Sequence, residues 1–327
     1  MSAVKVPKVL LNDGTYMPSI GLGTWGSDWG VTFGQRERGA IEQAVKDAID
    51  LGYLHIDTAL VYDTEKEVGS AINSKIQDGV VKREDLYIVS KLWNTFHRPD
   101  LVRGALLQSL KNLNTPYLDL YLVHWPLAHK EDQGLFPVDD QGNTSYSFVD
   151  FVDTWKEMEK LVDDGYVKSI GISNFSKAQT ERLLSSARIK PVTNQVECHA
   201  YLTQTKLSDY LRSKGITITA YAPLGSPARP WLESVEPVLL EEPTILQIAA
   251  KYNKTPAQIA LRYQIERGHI AIPKSSNKVR LSENISIFDF NLNEDELVEL
   301  NKLNKDKRYF LNDVNASHPD YPFNDEY

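Results

Sequence analysis

Cysteine is nearly absent from this chain: Cys198 is the only one in 327 residues. That count excludes an internal disulfide and a cysteine-based zinc cluster, and it agrees with a reducing compartment, so a cytoplasmic location is expected. Long apolar runs are also lacking. No stretch approaches the ~20 residues of a membrane span, and Met1 to Gly14 holds no apolar core of the signal-peptide kind, so a soluble, unexported protein without membrane contact is expected. Positive charge is in deficit, with 36 Lys and Arg against 44 Asp and Glu and a net charge of −8. No Lys/Arg stripe offsets it, which argues against nucleic acid as a partner. No linker rich in proline, glycine or serine divides the chain, and no repeat is visible beyond an alternation of strand-like and helix-like segments.

What is present is a globular composition, 42% hydrophobic and 24% charged, sufficient for a full core. At this length either two domains or one large α/β barrel is expected. Eight short apolar runs read as buried parallel strands because they lack the alternation of a half-wet sheet. They are Ile20–Leu22, Leu54–Ile56, Leu86–Val89, Leu118–Val123, Val167–Ile172, Val192–Val196, Ile216–Ala220 and Ile270–Ile272.

Helical stripes lie between them. Ile41, Ala44, Val45, Ala48 and Ile49 form one; Val102, Ala105, Leu106, Leu110 and Leu113 form another. Phe151, Trp155, Met158 and Val162, then Ile245, Ile248, Ala249 and Tyr252, follow the same spacing, and Gly52, Gly165 and Gly215 stand where C-caps belong. Eight βα units in roughly 250 residues match a (β/α)8 TIM barrel better than a doubly wound sheet. Residues 6–17, turning at Asn12-Asp13-Gly14, read as an N-terminal β-hairpin plugging the barrel floor, and residues 303–327 as an irregular C-terminal tail, all within one domain spanning 1–327.

Barrel sites form at the C-terminal ends of strands. Here those ends carry Asp57, Lys91, His124, Ser173-Asn174, Gln195, Tyr221 and Lys274. A single polar strand end is most simply one meeting water; seven in succession are hard to explain that way. Asp57, Lys91 and His124, joined by Tyr62, have a coherent chemistry. A phenol near its ordinary pKa of ~10 is a weak acid at neutral pH, and a neighbouring ammonium held by a carboxylate would favour its proton release toward a carbonyl oxygen. A neutral His124 imidazole would orient that oxygen. None of these groups supplies hydride, so a nicotinamide cofactor is required.

The sequence motifs are specific. They run Gly21-Leu22-Gly23-Thr24-Trp25, Gly52-Tyr53-Leu54-His55-Ile56-Asp57-Thr58-Ala59 with Tyr62 and Glu67-Val68-Gly69, and Ser90-Lys91-Leu92-Trp93. Leu118-Asp119-Leu120-Tyr121-Leu122-Val123-His124-Trp125-Pro126, Gly171-Ile172-Ser173-Asn174-Phe175, Asn194-Gln195-Val196-Glu197 and Tyr221-Ala222-Pro223-Leu224-Gly225 follow. Along nearly its whole length the chain resembles the aldo-keto reductases, aldose reductase-like and NADPH-dependent. The resemblance implies that Asp57, Tyr62, Lys91 and His124 are the catalytic tetrad, with Tyr62 as the acid.

It also implies that the nicotinamide ring of NADPH or NADP+ stacks on Tyr221 while Ser173, Asn174 and Gln195 hold the carboxamide. Thr24, Trp25, Asp57, Leu224 and Ser226 would contribute to cofactor binding. Ile272-Pro273-Lys274-Ser275, Arg280, Glu283 and Asn284 resemble the segment that binds the adenosine 2′-phosphate, and the charges of Lys274 and Arg280 suit NADPH. Ser276 and Asn277 depart from the family's commoner Val-Thr, and Ala222 stands where serine is frequent. Trp25, Trp93, Trp125 and Trp231, with Tyr62 and His124, would wall an apolar carbonyl pocket, and a monomer is implied.

Other features have plainer readings. Gly21, Gly23 and Gly26 satisfy G-x-G-x-x-G, but no helix opens at Ser27-Asp28-Trp29-Gly30; the first begins near Gln35, so a Rossmann loop is rejected. Trp155 and His55 read as core, Cys198 as a small buried residue, and Asn301 to Arg308 as a solvated helix end. Glu197 and His199 lack a third ligand at zinc-like spacing, so no metal is expected. Substrate choice falls on Leu127–Phe148, Ser226–Glu241 and the tail from Lys305 to Tyr327. There Tyr309, Phe310, Tyr321 and Phe323 read either as an apolar lid or as packing on the barrel's outside. The lid reading favours lipophilic carbonyls, ketosteroid- or ecdysteroid-type ketones and aromatic or aliphatic aldehydes, over sugars. Two other functions stay open at this point: a Schiff-base aldolase acting through Lys91, and a non-catalytic binding module.

Overall fold

The computed structural model describes residues 4–26, 39–227, 229, 231, 236–325 and 327. The expected loop Ser27–Gly30 and the expected helix start near Gln35 lie outside the described residues, as does part of 226–241. Eight parallel strands line up in sequence order: β1 (Leu22–Gly23), β2 (His55–Asp57), β3 (Tyr87–Leu92), β4 (Leu118–Val123), β5 (Val167–Ser173), β6 (Thr193–Glu197), β7 (Thr217–Tyr221) and β8 (Ile270–Ala271). The sheet closes on itself. Gly21 N–H donates to Ala271 C=O at 2.9 Å, and Ala271 N–H donates to Ser19 C=O at 3.0 Å. The fold is the (β/α)8 barrel.

Helices alternate with the strands: α1 (Ala40–Leu51), α2 (Glu65–Gln77), α3 (Pro99–Leu113), α4 (Phe151–Asp163), α5 (Lys177–Leu184) and α6 (Thr205–Ser213). The apolar stripe read from the sequence is the buried face of α1. Gly52 closes that helix at φ 103°, a left-handed conformation that a side chain would strain. After β7 the alternation breaks. Two helices, α7 (Pro243–Tyr252) and α8 (Pro256–Glu266), precede β8, and α9 (Lys278–Ile285) and α10 (Glu294–Asn301) follow it. Ile245, Ile248 and Ala249 of α7 share a buried cluster with Leu300 of α10, so the two extra helices cover one another's apolar faces.

Two apolar layers hold the barrel. Alternate strand residues Ile56, Ile88, Tyr121, Val123, Ile170 and Ile172 face outward to the helices. Tyr87, Val89, Leu120, Leu122, Val192 and Ile270 cluster with Leu11 and Met17 from the expected hairpin, whose strands Lys8–Leu10 and Tyr16–Pro18 pair antiparallel. Asn12 Nδ2 donates to Pro191 C=O at 2.9 Å and Ser169 Oγ to Asp13 Oδ2 at 2.6 Å, pinning that hairpin to the strands' N-terminal ends.

Candidate active site

Side chains alternate across a strand, so the residue two beyond a buried interior position points into the barrel one layer nearer its mouth. On β3, Tyr87 and Val89 fill the floor and Lys91 comes next; on β4, Leu120 and Leu122 are followed by His124. The same step from His55 yields Asp57. Tyr62 enters from a short 3₁₀ turn, Leu60–Tyr62, just past β2.

These four side chains meet. Lys91 Nζ donates to Asp57 Oδ1 at 2.6 Å and to the Thr58 carbonyl at 2.9 Å. Gln195 Nε2 donates to the other carboxylate oxygen, Asp57 Oδ2, at 2.8 Å. The Lys91 ammonium lies 4.8 Å from the centroid of the Tyr62 ring. Tyr62 Oη stands 3.5 Å from His124 Nε2, and the two rings meet edge to face.

Electrostatics follow from burial. The carboxylate of Asp57 opposes the pull of burial on Lys91, but burial wins and draws the ammonium below its ordinary pKa. Burial likewise pushes His124 well below 6.5, helped by Lys91 and His97, so its imidazole is neutral as expected. Tyr62 departs from the expectation. Burial, then the negative charge of Asp57, holds the phenol well above 10, and the nearby ammonium does not bring it down. The reason is that the same apolar walls that bring Lys91 close also strip water from the phenolate.

One cavity of about 820 Å³ joins this group to the remaining expected residues. It is lined by Trp25, Asp57, Tyr62, Trp93, His124 and Trp125, by Ser173, Asn174, Gln195, Tyr221, Leu224 and Ser226, and by Trp231, Lys274, Ser275, Arg280, Glu283 and Asn284. Thr24 is the exception. Its hydroxyl donates to the Asp57 carbonyl at 2.9 Å and meets Thr64 at 3.3 Å, so it braces the strand end without lining the cavity. Asn174 adopts φ 62°, tolerated by asparagine, and its amide accepts from Tyr221 Oη at 2.9 Å while donating to the His124 carbonyl at 3.0 Å. These residues fit a nicotinamide dinucleotide: a half-buried tyrosine face, polar side chains, and two cations, Lys274 and Arg280, on the wall of one cavity. Arg280 lies in the first turn of α9, whose N-cap is Asn277, one of the two departures from the family pattern; the Asn277 side chain accepts from the Arg280 N–H.

The four tail aromatics divide, two lining the cavity and two packing outside its lining. Tyr309, Phe310 and Leu311 line the cavity. Phe310 meets Trp25 and Trp231 edge to face at 5.5 Å each, while Tyr321 and Phe323 pack beside Trp125. The plainer readings of Trp155 and Cys198 also hold. Trp155 is buried and donates to the Ile189 carbonyl, and Cys198 is buried, which pushes its thiol pKa up. No group of three metal-ligating side chains occurs among the described residues, and no helix among them is long and apolar enough to cross a membrane. His55 packs under Gly21, where an added Cβ would lie 2.4 Å from its Nδ1. Gly21 therefore serves a ring contact, and the N–H groups of Gly21 and Gly23 donate to the Ala271 and Pro273 carbonyls of the barrel sheet, not to a loop of the dinucleotide-binding kind. The sequence reading missed three contributors: the Thr58 carbonyl, the Gln195–Asp57 bond, and Glu65, which is buried and accepts from Ser90 Oγ at 2.7 Å beneath the site. Thr58 and Gln195 lie within the quoted motifs, which do not announce these contacts, and Glu65 lies in none of them.

Known proteins resemble this chain closely. The model of the aldo/keto reductase family matches residues 19–305. Estradiol 17 beta-dehydrogenase 5 of Mus musculus is 47% identical over 326 residues, covering 99% of each chain. Prostaglandin-E(2) 9-reductase of Oryctolagus cuniculus is also 47% identical with 99% of each covered, and aldo-keto reductase family 1 member A1 of Gallus gallus is 46% identical with 98% of each covered. Among solved structures, the aldose reductase of Schistosoma japonicum superposes with a TM-score of 0.90 at 45% identity, over 98% of this chain and 100% of that one. A barrel whose mouth gathers a Tyr, a His and a Lys–Asp pair beside a dinucleotide-sized cavity thus meets a family match along almost all its length, and the chain belongs to the aldo/keto reductases, pyridine-nucleotide-dependent oxidoreductases that act on carbonyl compounds.

Proposed function

We propose that this protein uses NADPH to reduce lipophilic aldehydes or ketones to alcohols, with Tyr62 as the general acid. The observation that carries the reading is the meeting of Tyr62 Oη and His124 Nε2 at 3.5 Å, with the Lys91–Asp57 pair beside them, on one wall of the large cavity. When bound, the reduced nicotinamide supplies the hydride. The chain's own residues do the rest. Tyr221 would offer its ring face to the cofactor, and Ser173, Asn174 and Gln195 would hold its carboxamide. His124, kept neutral by burial, donates an N–H that orients the carbonyl oxygen. Tyr62 stays protonated at neutral pH, so its proton is in place as charge grows on that oxygen. Lys91 then stabilises the phenolate left behind, and Asp57, fixed by Gln195, holds Lys91.

NADPH preference rests on Lys274 and Arg280, which bring positive charge to the N-terminal end of α9, where a 2′-phosphate is also favoured by the helix dipole. Lipophilic carbonyls rest on the aromatic wall of Trp25, Trp93, Trp125, Trp231 and Phe310. Relatives named for estradiol and prostaglandin E2 support that class. One barrel domain carrying hairpin and tail, acting as a cytoplasmic monomer, completes the proposal, and the buried cysteine agrees with a reducing compartment. The test is Tyr62→Phe. Turnover of an aromatic aldehyde should fall by about 10²–10⁴-fold, the usual worth of a positioned acid, while NADPH still quenches tryptophan fluorescence with nearly the wild-type affinity. A variant that keeps most of its activity would overturn the assignment.

A further inference from the structure

Glu197 ends β6, is fully buried, and does not line the cavity. Its carboxylate gathers three donors. Oε1 accepts from His199 Nε2 at 3.0 Å and from the Tyr309 N–H at 2.8 Å, and Oε2 accepts from the Phe310 N–H at 3.0 Å. Burying a carboxylate is unfavourable unless such bonds replace water, and here two of the three bonds hold consecutive amides of the tail. The tail residues so held are the ones that shape the site. His199 stacks on the Tyr309 ring at 5.1 Å, the Arg229 guanidinium lies 3.9 Å from that ring's centroid, and Trp231 Nε1 donates to the Tyr309 carbonyl at 3.2 Å. Phe310, one residue on, meets Trp25, Trp231 and Tyr221 edge to face at 5.5–5.6 Å. Further anchors lie just before them, where the Tyr201 carbonyl accepts from the Lys305 and Lys307 N–H groups at 3.0 Å each.

We propose that Glu197 is a positioning residue that sets the size selectivity of the carbonyl pocket by clamping the backbone at Tyr309 and Phe310, so that Phe310 stands as a fixed wall. The proposal rests on the reductase reading above. Without the clamp the tail keeps its apolar packing but loses the register that places Phe310, and substrates long enough to reach that wall lose their fit. Short substrates engage Tyr62 and His124 without it. Because Glu197 does not line the cavity and two of its three bonds hold the tail, its loss acts on KM and leaves the chemical step alone.

The test uses Glu197→Gln, which keeps the shape but presents an amide NH2 to a donor already there, and compares two aldehydes of the same reacting group, benzaldehyde and biphenyl-4-carbaldehyde, with NADPH. Glu197→Gln should raise KM for the biphenyl aldehyde about tenfold, a typical worth for lost pocket complementarity, with kcat within twofold and benzaldehyde kinetics within twofold. Phe310→Ala should shift the ratio of kcat/KM between the two aldehydes in the same direction, and the double variant should add nothing further. Equal losses for both aldehydes, or multiplicative effects in the double variant, would overturn the proposal. Amide hydrogen exchange reads the clamp without turnover: exchange at Tyr309 and Phe310 should quicken at least about tenfold in Glu197→Gln while the strands keep their rates. Unchanged exchange at those two amides would equally overturn it. If Glu197→Gln does not fold, Phe310→Ala decides, and an unchanged aldehyde ratio in that variant rejects the wall. A wild-type protein that reduces neither aldehyde would sink the reductase reading, with the exchange result still deciding the clamp.

Discussion

Tyr62 Oη and His124 Nε2 face each other at 3.5 Å, a gap that leaves the phenol and the imidazole side by side, where both can reach one carbonyl oxygen. Burial sets their protonation in opposite senses, raising the tyrosine and lowering the histidine, and both shifts keep the neutral forms. On the proposed roles, the acid and the orienting donor are therefore both ready across the neutral range.

The pH profile follows from the signs. A raised Tyr62 pKa keeps the proton donor present as pH rises, and a lowered His124 pKa keeps the imidazole neutral as pH falls below 6.5. With saturating NADPH, kcat for aldehyde reduction should be flat from about pH 6 to 9, while alcohol oxidation, which needs the phenolate, should climb toward high pH. A reductive kcat that halves near pH 7 would contradict these assignments.

Lys91 is fully buried against Asp57, so removing it leaves a carboxylate with only the Gln195 amide. Lys91→Met should lower stability by about 3–5 kcal/mol, the usual cost of breaking a buried pair, and reduce turnover more than NADPH binding. Urea denaturation together with cofactor titration separates the two effects.

Arg280→Met should raise KM for NADPH by about tenfold if, as proposed, Arg280 makes one charge-assisted hydrogen bond to the 2′-phosphate, worth roughly 1.4 kcal/mol. KM for NADH, which lacks that phosphate, should stay nearly the same. Steady-state kinetics with both nucleotides is the check; a parallel rise for NADH would mean that Arg280 does not read the 2′-phosphate.

Gly21→Ala should cost about 1–3 kcal/mol because its Cβ would strike the His55 ring at 2.4 Å. The nucleotide Kd of the folded variant should stay near wild type. A selective loss of nucleotide affinity would restore a phosphate-loop role for Gly21.

Acid stability tests the buried imidazoles. Burial lowers His55 to about 4 and His97 to about 3, both below the unfolded value of 6.5. Depressed folded values mean that their contribution is complete above pH 6.5 and is lost as pH falls toward the folded values. The unfolding free energy from urea titrations should therefore fall between pH 6.5 and 4, by roughly 1.4 kcal/mol per pH unit for each histidine. His55→Gln should flatten part of that slope.

The sequence by itself determined the architecture and the chemistry-bearing positions. Helical and strand periodicities, punctuated by glycines such as Gly52, dictate βα order because burial of an apolar face is a local demand that spacing can express. The step of two along each strand likewise commits Asp57, Lys91 and His124 to the barrel's mouth once the strands are recognised. Only the tertiary structure decided how these groups act on one another. The rise in the Tyr62 pKa, the Gln195–Asp57 bond and the turn of Thr24 away from the cavity depend on desolvation and distance, which no one-dimensional spacing encodes. The tail was open for the same reason. Tyr309 and Phe310 are 112 and 113 residues from Glu197, and nothing in either segment announces the other. A carboxylate on β6 and two amides beyond α10 come together only because the closed barrel brings the end of β6 beneath the chain that leaves α10, and burial then makes their hydrogen bonds obligatory.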